Sequence, residues 1–526
     1  MNLKKLQNGS DIRGVALPGV PGEEPNFTEE SAALLSQGFC EWLSEKTGKP
    51  FSALTISIGH DPRLSAEMLK TAAINAMTSL GVRVFDCGLA STPAMFMSTV
   101  FPELSCDGAV MITASHLPFN RNGFKYFDKD GGLNKSDIAD IIRRAENLEE
   151  CPPDCDYDCE NCTPNSEEPV CGVTALLISK CDLMNTYCAH LRDIIKRGVN
   201  AGDRPLAGLK IAVDAGNGSG GFYAEKVLAP LGADVSGSCF LDPDGSFPNH
   251  APNPEDKKAM ESVSRRVLET GADFGLIFDT DVDRSAAVDE NGHEISRNGI
   301  VALAAVLASE TSAGTTIVTD SITSDQLTEF LVGRLGLKHL RYKRGYKNVI
   351  NKAIELNAGG IDCQLAIETS GHAAFKENYF LDDGAYLAAK IVIKAAKLAR
   401  EDKKLSSVTA DLKEPKEAVE VRLPILTDDF AAYGGSVIEA LEAWVNEQSA
   451  SMPPVTMQLV TPNYEGVRIR FFENTGVLGW CLLRMSLHDP IMPLNIESDK
   501  DSGCRIIAEK LRAFLLRFDK LDISKL

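Results

Sequence analysis

Thr113-Ala114-Ser115-His116-Leu117-Pro118, followed at once by Asn120-Arg121-Asn122-Gly123-Phe124-Lys125, packs a strand end, a serine and a returning lysine into one short stretch. Ahead of it, the apolar run Ala109-Val110-Met111-Ile112 predicts a buried strand that ends by delivering Ser115. The Asn-Arg-Asn-Gly cluster predicts a turn that brings Lys125 back toward the serine. A serine hydroxyl is a poor nucleophile until a neighbour takes its proton or a metal stabilises its oxygen anion. His116 is adjacent to it in sequence, and Lys125 lies ten residues on. Thr and Ser also cap helices and turns, so alone the stretch fits a cap as well as a catalytic loop.

A second stretch separates those readings. Phe274-Gly275-Leu276-Ile277-Phe278 predicts another short buried strand, and Asp279-Thr280-Asp281-Val282-Asp283-Arg284 follows it. Three alternating carboxylates aimed at one spot would repel severely without a cation. Oxygen-only ligands suit magnesium, manganese or calcium rather than zinc. A calcium EF-hand also spaces Asp at its first, third and fifth positions, and Glu290 falls at its twelfth. That loop needs glycine at the sixth position, where this chain has Arg284, and it needs a helix rather than a strand in front. A haloacid-dehalogenase-type phosphatase would place Asp-x-Asp after an apolar strand, but it leaves Ser115 unexplained. A solvated acidic turn is the remaining alternative.

With both stretches in hand, the chain resembles the α-D-phosphohexomutases, which include phosphoglucomutase and phosphomannomutase. That family carries a Thr-Ala-Ser-His-Asn-Pro phosphoserine loop and an Asp-Gly-Asp-Gly-Asp-Arg metal loop. It also carries a Gly-Glu-x-Ser-Gly-His sugar loop and a C-terminal Arg-x-Ser-Asn/Gly-Thr-Glu-Pro phosphate loop. The counterparts here are the Ser115 loop, Asp279 to Arg284, Glu368-Thr369-Ser370-Gly371-His372, and Arg484-Met485-Ser486-Leu487-His488-Asp489-Pro490, in the same order. Asp11-Ile12-Arg13-Gly14 and Tyr342-Lys343-Arg344-Gly345-Tyr346-Lys347 are lesser matches. The chain departs from the family at Leu117, at Thr280 and Val282 in place of glycines, at Ile367, and at Leu487, His488 and Asp489. Losing the metal-loop glycines removes easy access to positive φ. This set of variants looks like a phosphoglucomutase-like branch found in plants and algae.

The resemblance implies an α/β fold of three similar mixed α/β domains plus a C-terminal α+β domain around a central active-site cleft. The chain itself shows a recurring strand–loop–helix–strand pattern. It starts at Leu54–Ile58, Leu209–Val213 and Thr316–Thr319. The expected domains are 1–204 around Ser115, 205–310 around the aspartates, 311–412 around the sugar loop, and 413–526 carrying the phosphate loop. In the last of these, strands are predicted at 466–472, 479–485 and 491–496, then a helix over 501–517. Residues 151–188 hold seven of the fourteen cysteines, in what reads as an insertion near 150–172. A structural zinc, redox-active thiols and inert reduced cysteines all stay open for it.

Composition bounds the function. Of 526 residues, 44% are hydrophobic, enough for several folded cores. The formal net charge of −20 argues against nucleic acid or an anionic membrane as partner. No apolar run approaches the ~20 residues of a membrane span. No secretory signal is visible at Met1-Asn2-Leu3-Lys4-Lys5, so a cytoplasmic location is expected, or the plastid stroma if a transit peptide has been removed. Oligomeric state is not legible.

The resemblance further implies a magnesium-dependent isomerase, an intramolecular phosphotransferase that interconverts hexose 1-phosphate and hexose 6-phosphate. Ser115 would carry the phosphoryl group, with Asp279, Asp281, Asp283 and Ser115 holding Mg²⁺ and Arg284 neutralising charge. Lys125 or His372 would take the proton from the attacking hydroxyl, with His116 beside the serine. Glu368 and Ser370 would meet ring hydroxyls, and Arg484, Ser486 and His488 the distal phosphate, with Arg13 and Lys347 close by. A hexose 1,6-bisphosphate would be the intermediate and activator. The altered phosphate loop keeps a second class alive: a weakly active or noncatalytic phosphosugar-binding homologue. Nothing in the sequence chooses between glucose and mannose.

Overall fold

The computed structural model describes residues 2–149, 176–448, 455–474, 476–486 and 489–526. Leu487, His488 and the cysteine-rich stretch near 150–172 lie outside them. The chain forms two compact units, Met1–Ser296 with Ser370–Val408, and Arg297–Thr369 with Thr409–Leu526.

The first unit is built on two sheets. In the larger one, Arg121–Asp128 lies antiparallel between Asp11–Val15 and Gly108–Ile112. Gly108–Ile112 then pairs in parallel with Thr55–His60, which pairs in parallel with Arg83–Leu89. The strand Gly108–Ile112 is buried at every position, as a parallel-type strand covered on both faces should be. Helices Glu29–Thr47, Ala66–Ser79 and Lys135–Glu149 cover it, with Phe39, Leu43, Ile56, Ile58 and Ile141 in the core. Burying an aliphatic or aromatic side chain of this size contributes about 1.5–3 kcal/mol each. The expected Asn-Arg-Asn-Gly turn is displaced. The reversal closes earlier, with Arg121 N donating to Pro118 O, and Arg121 to Gly123 already belong to the strand. Gly123 serves close approach instead, since a Cβ there would sit 2.0 Å from Ile12 O.

The second sheet of this unit runs Glu294–Ile295, Ser285–Val288, Phe274–Phe278, Ile211–Asp214. Its first three strands are antiparallel neighbours, and Phe274–Phe278 is parallel to Ile211–Asp214. The run Gly232-Ala233-Asp234-Val235, where the recurring pattern would end on a strand, makes an isolated bridge from Asp234 to Lys210. Beyond it the Ser238 hydroxyl, not a neighbouring strand, accepts from Val213 N at 3.0 Å.

The second unit carries Thr316–Thr319 between Lys338–Arg341 and Cys363–Ile367, all parallel. It also carries a five-stranded antiparallel sheet in the order Glu417–Pro424, Ile491–Ser498, Gly476–Leu483, Val467–Glu473, Thr456–Leu459. Helices Phe430–Gln448 and Gly503–Leu515 pack on that sheet around Val437, Leu441, Ile469, Leu494 and Phe514. Three mixed α/β layers and a C-terminal α+β layer are therefore the architecture, as the sequence predicts. Asp325 joins the two layers of this unit: Arg468 Nη2 donates to its Oδ1 at 3.1 Å and Arg470 Nη2 to its Oδ2 at 2.6 Å.

Candidate active site

Ser115 leaves its strand at φ 51°, a left-handed conformation that a non-glycine residue keeps only when its surroundings fix it. Arg63 does the fixing. Fully buried, it donates through Nη1 to Pro118 O (2.7 Å) and Arg121 O (3.0 Å), and through Nη2 to Leu117 O (2.7 Å) and Ser115 O. Its Nε donates to Asp61 Oδ2 at 3.1 Å. The same carboxylate oxygen accepts from Thr113 Oγ1 at 2.7 Å, and that hydroxyl accepts from Ser115 N at 2.9 Å. One guanidinium thus satisfies four loop carbonyls that burial would otherwise strand.

Ser115 is 2% exposed, and its Oγ donates to Asp279 Oδ2 at 3.0 Å. Arg284 Nη2 donates to the same hydroxyl at 3.1 Å and to His116 Nδ1 at 2.8 Å. His116 as a whole is exposed. Loss of solvent at its ring nitrogen, then the charges of Arg284 and Arg13, hold its imidazole below the usual range and so neutral. Arg13 is itself held by Asp11 at 2.9 Å.

The three aspartates form the turn of a hairpin, since Phe278 pairs with Ser285 directly across it. Arg284 N donates to Asp279 Oδ1 at 3.2 Å, which closes the turn. Val282 takes φ 67° although it is β-branched, so the left-handed geometry persists without the glycine that would ease it. Gly384 N pins Val282 O at 3.1 Å. Lys125, on the strand paired with that of Met111, donates to Asp281 Oδ2 at 2.9 Å and to Asp283 Oδ2. Thr92 holds Asp281 through both its N–H and its hydroxyl.

Burial, then the charges of Asp283 and Asp281, push the Asp279 carboxyl well above its usual range. Burial also opposes ionisation of Asp283, yet Lys125, His372 and Arg284 hold it well below the usual range. His372 Nδ1 meets Asp382 Oδ2 at 2.5 Å and lies 3.9 Å from Asp283 Oδ1. Burial works against its charge, but Asp382 and Asp283 raise it to about 9, so it is an imidazolium at neutral pH.

Asp279, Asp281 and Asp283 each offer an oxygen within 4.8 Å of the others, and all three are at most 1% exposed. Among the described residues, Asp281 Oδ1 and Asp283 Oδ1 have no hydrogen-bond partner. Buried carboxylate oxygens so placed fit a hard divalent cation.

In the second unit, Glu368 Oε1 accepts from Gly345 N at 2.6 Å, and Glu465 Oε2 accepts from Arg344 N at 3.2 Å and from the Ser321 hydroxyl. Thr369 Oγ1 donates to Asp320 Oδ2 at 2.7 Å. Arg484 is 6% exposed; among the described residues its Nη1 donates to Met485 O at 3.4 Å and its Nε has no partner. Burial lowers its pKa against the pull of Glu465. Ser486 Oγ accepts from Asp489 N at 3.2 Å. Lys347 sits half-buried on the first turn of the helix Tyr346–Ala358. Ser370, in the first unit, is buried, and its Oγ has no hydrogen-bond partner among the described residues.

Asp61, Arg63, Thr92 and Asp382 were not singled out by sequence reasoning. Asp61-Pro62-Arg63 had a signal, an acid and a base at the end of an apolar strand, as in the aspartate loop. Thr92 and Asp382 look like helix-capping residues, and nothing local marks them further.

The family models for phosphoglucomutase/phosphomannomutase match this chain in three pieces. Alpha/beta/alpha domain I matches residues 4–150, domain II residues 185–292 and domain III residues 296–415. The chain belongs to the phosphoglucomutase/phosphomannomutase family. As a family member it is a mutase-type phosphotransferase. It is 28% identical over 467 residues to a phosphomannomutase/phosphoglucomutase of Pseudomonas putida, covering 88% of each chain. It is 30% identical over 392 residues to a phosphoglucosamine mutase of Nautilia profundicola, covering 73% of this chain and 80% of that one. In fold it matches a phosphoglucomutase/phosphomannomutase family protein of Burkholderia thailandensis at TM-score 0.73, over 96% of both chains at 24% identity.

Proposed function

We propose that this enzyme interconverts hexose 1-phosphate and hexose 6-phosphate, on glucose, mannose or both, through a phosphorylated Ser115 and a hexose 1,6-bisphosphate. The carrying observation is the buried cluster in which Ser115 Oγ meets Asp279 at 3.0 Å beside two carboxylate oxygens with no hydrogen bond among the described residues. In the forward step the free hydroxyl of the hexose monophosphate attacks the phosphorus held on Ser115 Oγ. The new O–P bond forms, the P–Oγ bond breaks, the hydroxyl loses its proton and Ser115 gains one. The second step returns the other phosphate to Ser115.

Mg²⁺ is the ion assigned to Asp279, Asp281 and Asp283; when bound it offsets charge on the phosphoryl group. Arg284 adds positive charge at Ser115 Oγ. Lys125 and His372 are the acid–base pair, and His372, starting as an imidazolium, gives a proton before it takes one. Arg484, Ser486 and Lys347 are assigned to the distal phosphate, and Glu368 and Ser370 to ring hydroxyls, with Arg13 near the transferred group. The complete serine–aspartate–lysine set does not favour the noncatalytic alternative.

The test is a coupled assay for glucose 6-phosphate formed from glucose 1-phosphate, with and without glucose 1,6-bisphosphate, repeated from mannose 1-phosphate. Turnover that needs Mg²⁺ is expected, with one phosphate on Ser115 by intact mass and peptide mapping. No turnover of either sugar with fully phosphorylated protein would overturn the reading.

A further inference from the structure

Away from the aspartate cluster, strand Arg83–Leu89 pairs in parallel with Ile178–Lys180, and Asp86 lies opposite Lys180. The ladder continues one step, because Cys181 N donates to Asp86 O at 2.9 Å. That step sets Cys181 beside Cys87. On its other side Cys87 is bulged out of pairing, since Ile58 aligns with Asp86 and Gly59 with Gly88. Neighbouring strands run about 4.8 Å apart, inside the ~4.4–6.8 Å that disulfide-linked Cα atoms span. The two thiols shift each other's titration, while Cys87 Sγ donates to Phe85 O at 3.7 Å. Cys87 is 7% exposed, whereas Cys181 is only half-buried.

Both cysteines lead directly into the active site. Five residues after Cys87, Thr92 holds Asp281 through backbone and side chain. Cys181 precedes Asp182, which caps the helix Leu183–Val199. On that helix Tyr187 OH donates to Asp383 Oδ1 at 2.7 Å, next to the Asp382 that holds His372.

We propose that Cys87 and Cys181 form a reversible disulfide through which peroxide slows the enzyme. The Cys181 thiolate attacks one peroxide oxygen, the O–O bond breaks and hydroxide leaves, giving a sulfenic acid at Cys181. The Cys87 sulfur then attacks the Cys181 sulfur and expels hydroxide. The S–S bond forms, and the protons of the two thiols leave with the two hydroxides as water. The two sulfurs give up two electrons, which reduce the peroxide; a dithiol returns them. Cys87 beside it lowers the Cys181 thiol to about 7, which favours its thiolate as the attacking form. Cys181 beside it, then burial, pushes Cys87 up, so it stays a thiol until its sulfur attacks Cys181.

The experiment treats the full-length enzyme with hydrogen peroxide, blocks remaining thiols with iodoacetamide and maps digest peptides before and after dithiothreitol. A peptide pair linking Cys87 to Cys181, released by dithiothreitol, is the expected result. Cys181 found alkylated after treatment, or linked only to another cysteine, overturns the proposal. Turnover should fall about tenfold or more on oxidation, as small displacements of a catalytic group do. It should recover with dithiothreitol, and C181S should keep its activity under the same peroxide. Loss of the same size in C181S, or a mapped disulfide with unchanged turnover, would overturn the link to activity. The mapping reads chemistry alone, so it stands apart from the mutase reading.

Discussion

At Ser115 one hydroxyl serves two partners: it donates to Asp279 and accepts from Arg284. Removing it should erase the phosphoryl carrier and little else. Asp279 Oδ2 still takes Arg284, and Thr113 still holds the 115 backbone N–H. Ser115→Ala is therefore expected to lower turnover by about a thousandfold or more. The lost hydrogen bonds should cost about 1 kcal/mol of stability. Intact mass should show no phosphate on the variant, and its denaturation midpoint should stay near that of the parent. A variant that turns over normally would show that another side chain carries the group. Glu497 offers a second single-residue test, at a distance from Ser115 in sequence and chemistry. It pairs with Trp480 across two strands and accepts from the indole Nε1 at 3.1 Å. Burial raises its carboxyl to about 7, against the pull of Arg468. A raised carboxyl binds its proton more tightly folded than unfolded. Its stabilising effect is thus full below the unfolded value near 4.5 and is lost as pH rises through 7. Glu497→Gln should remove that loss, stabilising the protein by up to about 3 kcal/mol above pH 7 and by little at pH 4.5. Denaturation midpoints that track the parent at both pH values would show that Glu497 titrates normally.

Elements place these residues, and the serine loop shows how. Its carbonyls converge on Arg63, which a lysine cannot imitate because one ammonium lacks the planar fork. Arg63→Lys should leave several buried carbonyls and part of Asp61 unsatisfied, at about 1–3 kcal/mol. Turnover should fall about tenfold or more, while KM for the hexose phosphate changes little. A large rise in KM with unchanged turnover would place Arg63 in substrate binding instead. The two strands that carry the site were legible because each is a continuous apolar run cut by polar residues, Ala109–Ile112 and Phe274–Phe278. Without the metal-loop glycines positive φ is no longer easily reached, and Val282 keeps its strained φ under contacts from elsewhere in the unit. Glu417–Pro424 and Phe430–Gln448 were not legible. The strand is largely exposed on its first five residues, so it lacks a buried run. The helix holds Gly434 and Gly435, which read as a break. Gly434 is there for packing: a Cβ would lie 2.0 Å from Met485 Sδ.

On the scale of the whole chain, most of the stretch read from sequence as 311–412 lies in one compact unit with the stretch read as 413–526. Arg297–Thr369 and Thr409–Leu526 share a buried charged junction that no local pattern announces. Arg468 lies over Trp480, 3.5 Å from the ring centroid, donates to Ser321 O and Thr323 O at 3.0 and 3.1 Å, and meets Asp325. Removing one partner of such a set leaves the others buried without compensation, which costs about 3–5 kcal/mol. The aspartate cluster, in contrast, lies wholly within the other unit. A ligand stabilises only the fold that binds it, by about 2.7 kcal/mol at a hundred times its Kd. Calorimetry should therefore separate the two. Mg²⁺ should raise the melting of the unit containing Asp279, Asp281 and Asp283, and Asp281→Asn should abolish that shift. Arg468→Ala should lower the melting of the other unit and leave the Mg²⁺ shift in place. If Mg²⁺ protected Asp281→Asn as fully as the parent, the ion would bind elsewhere. If Mg²⁺ raised and Arg468→Ala lowered one and the same transition, the two units would melt as one, and the division of labour between them would fail.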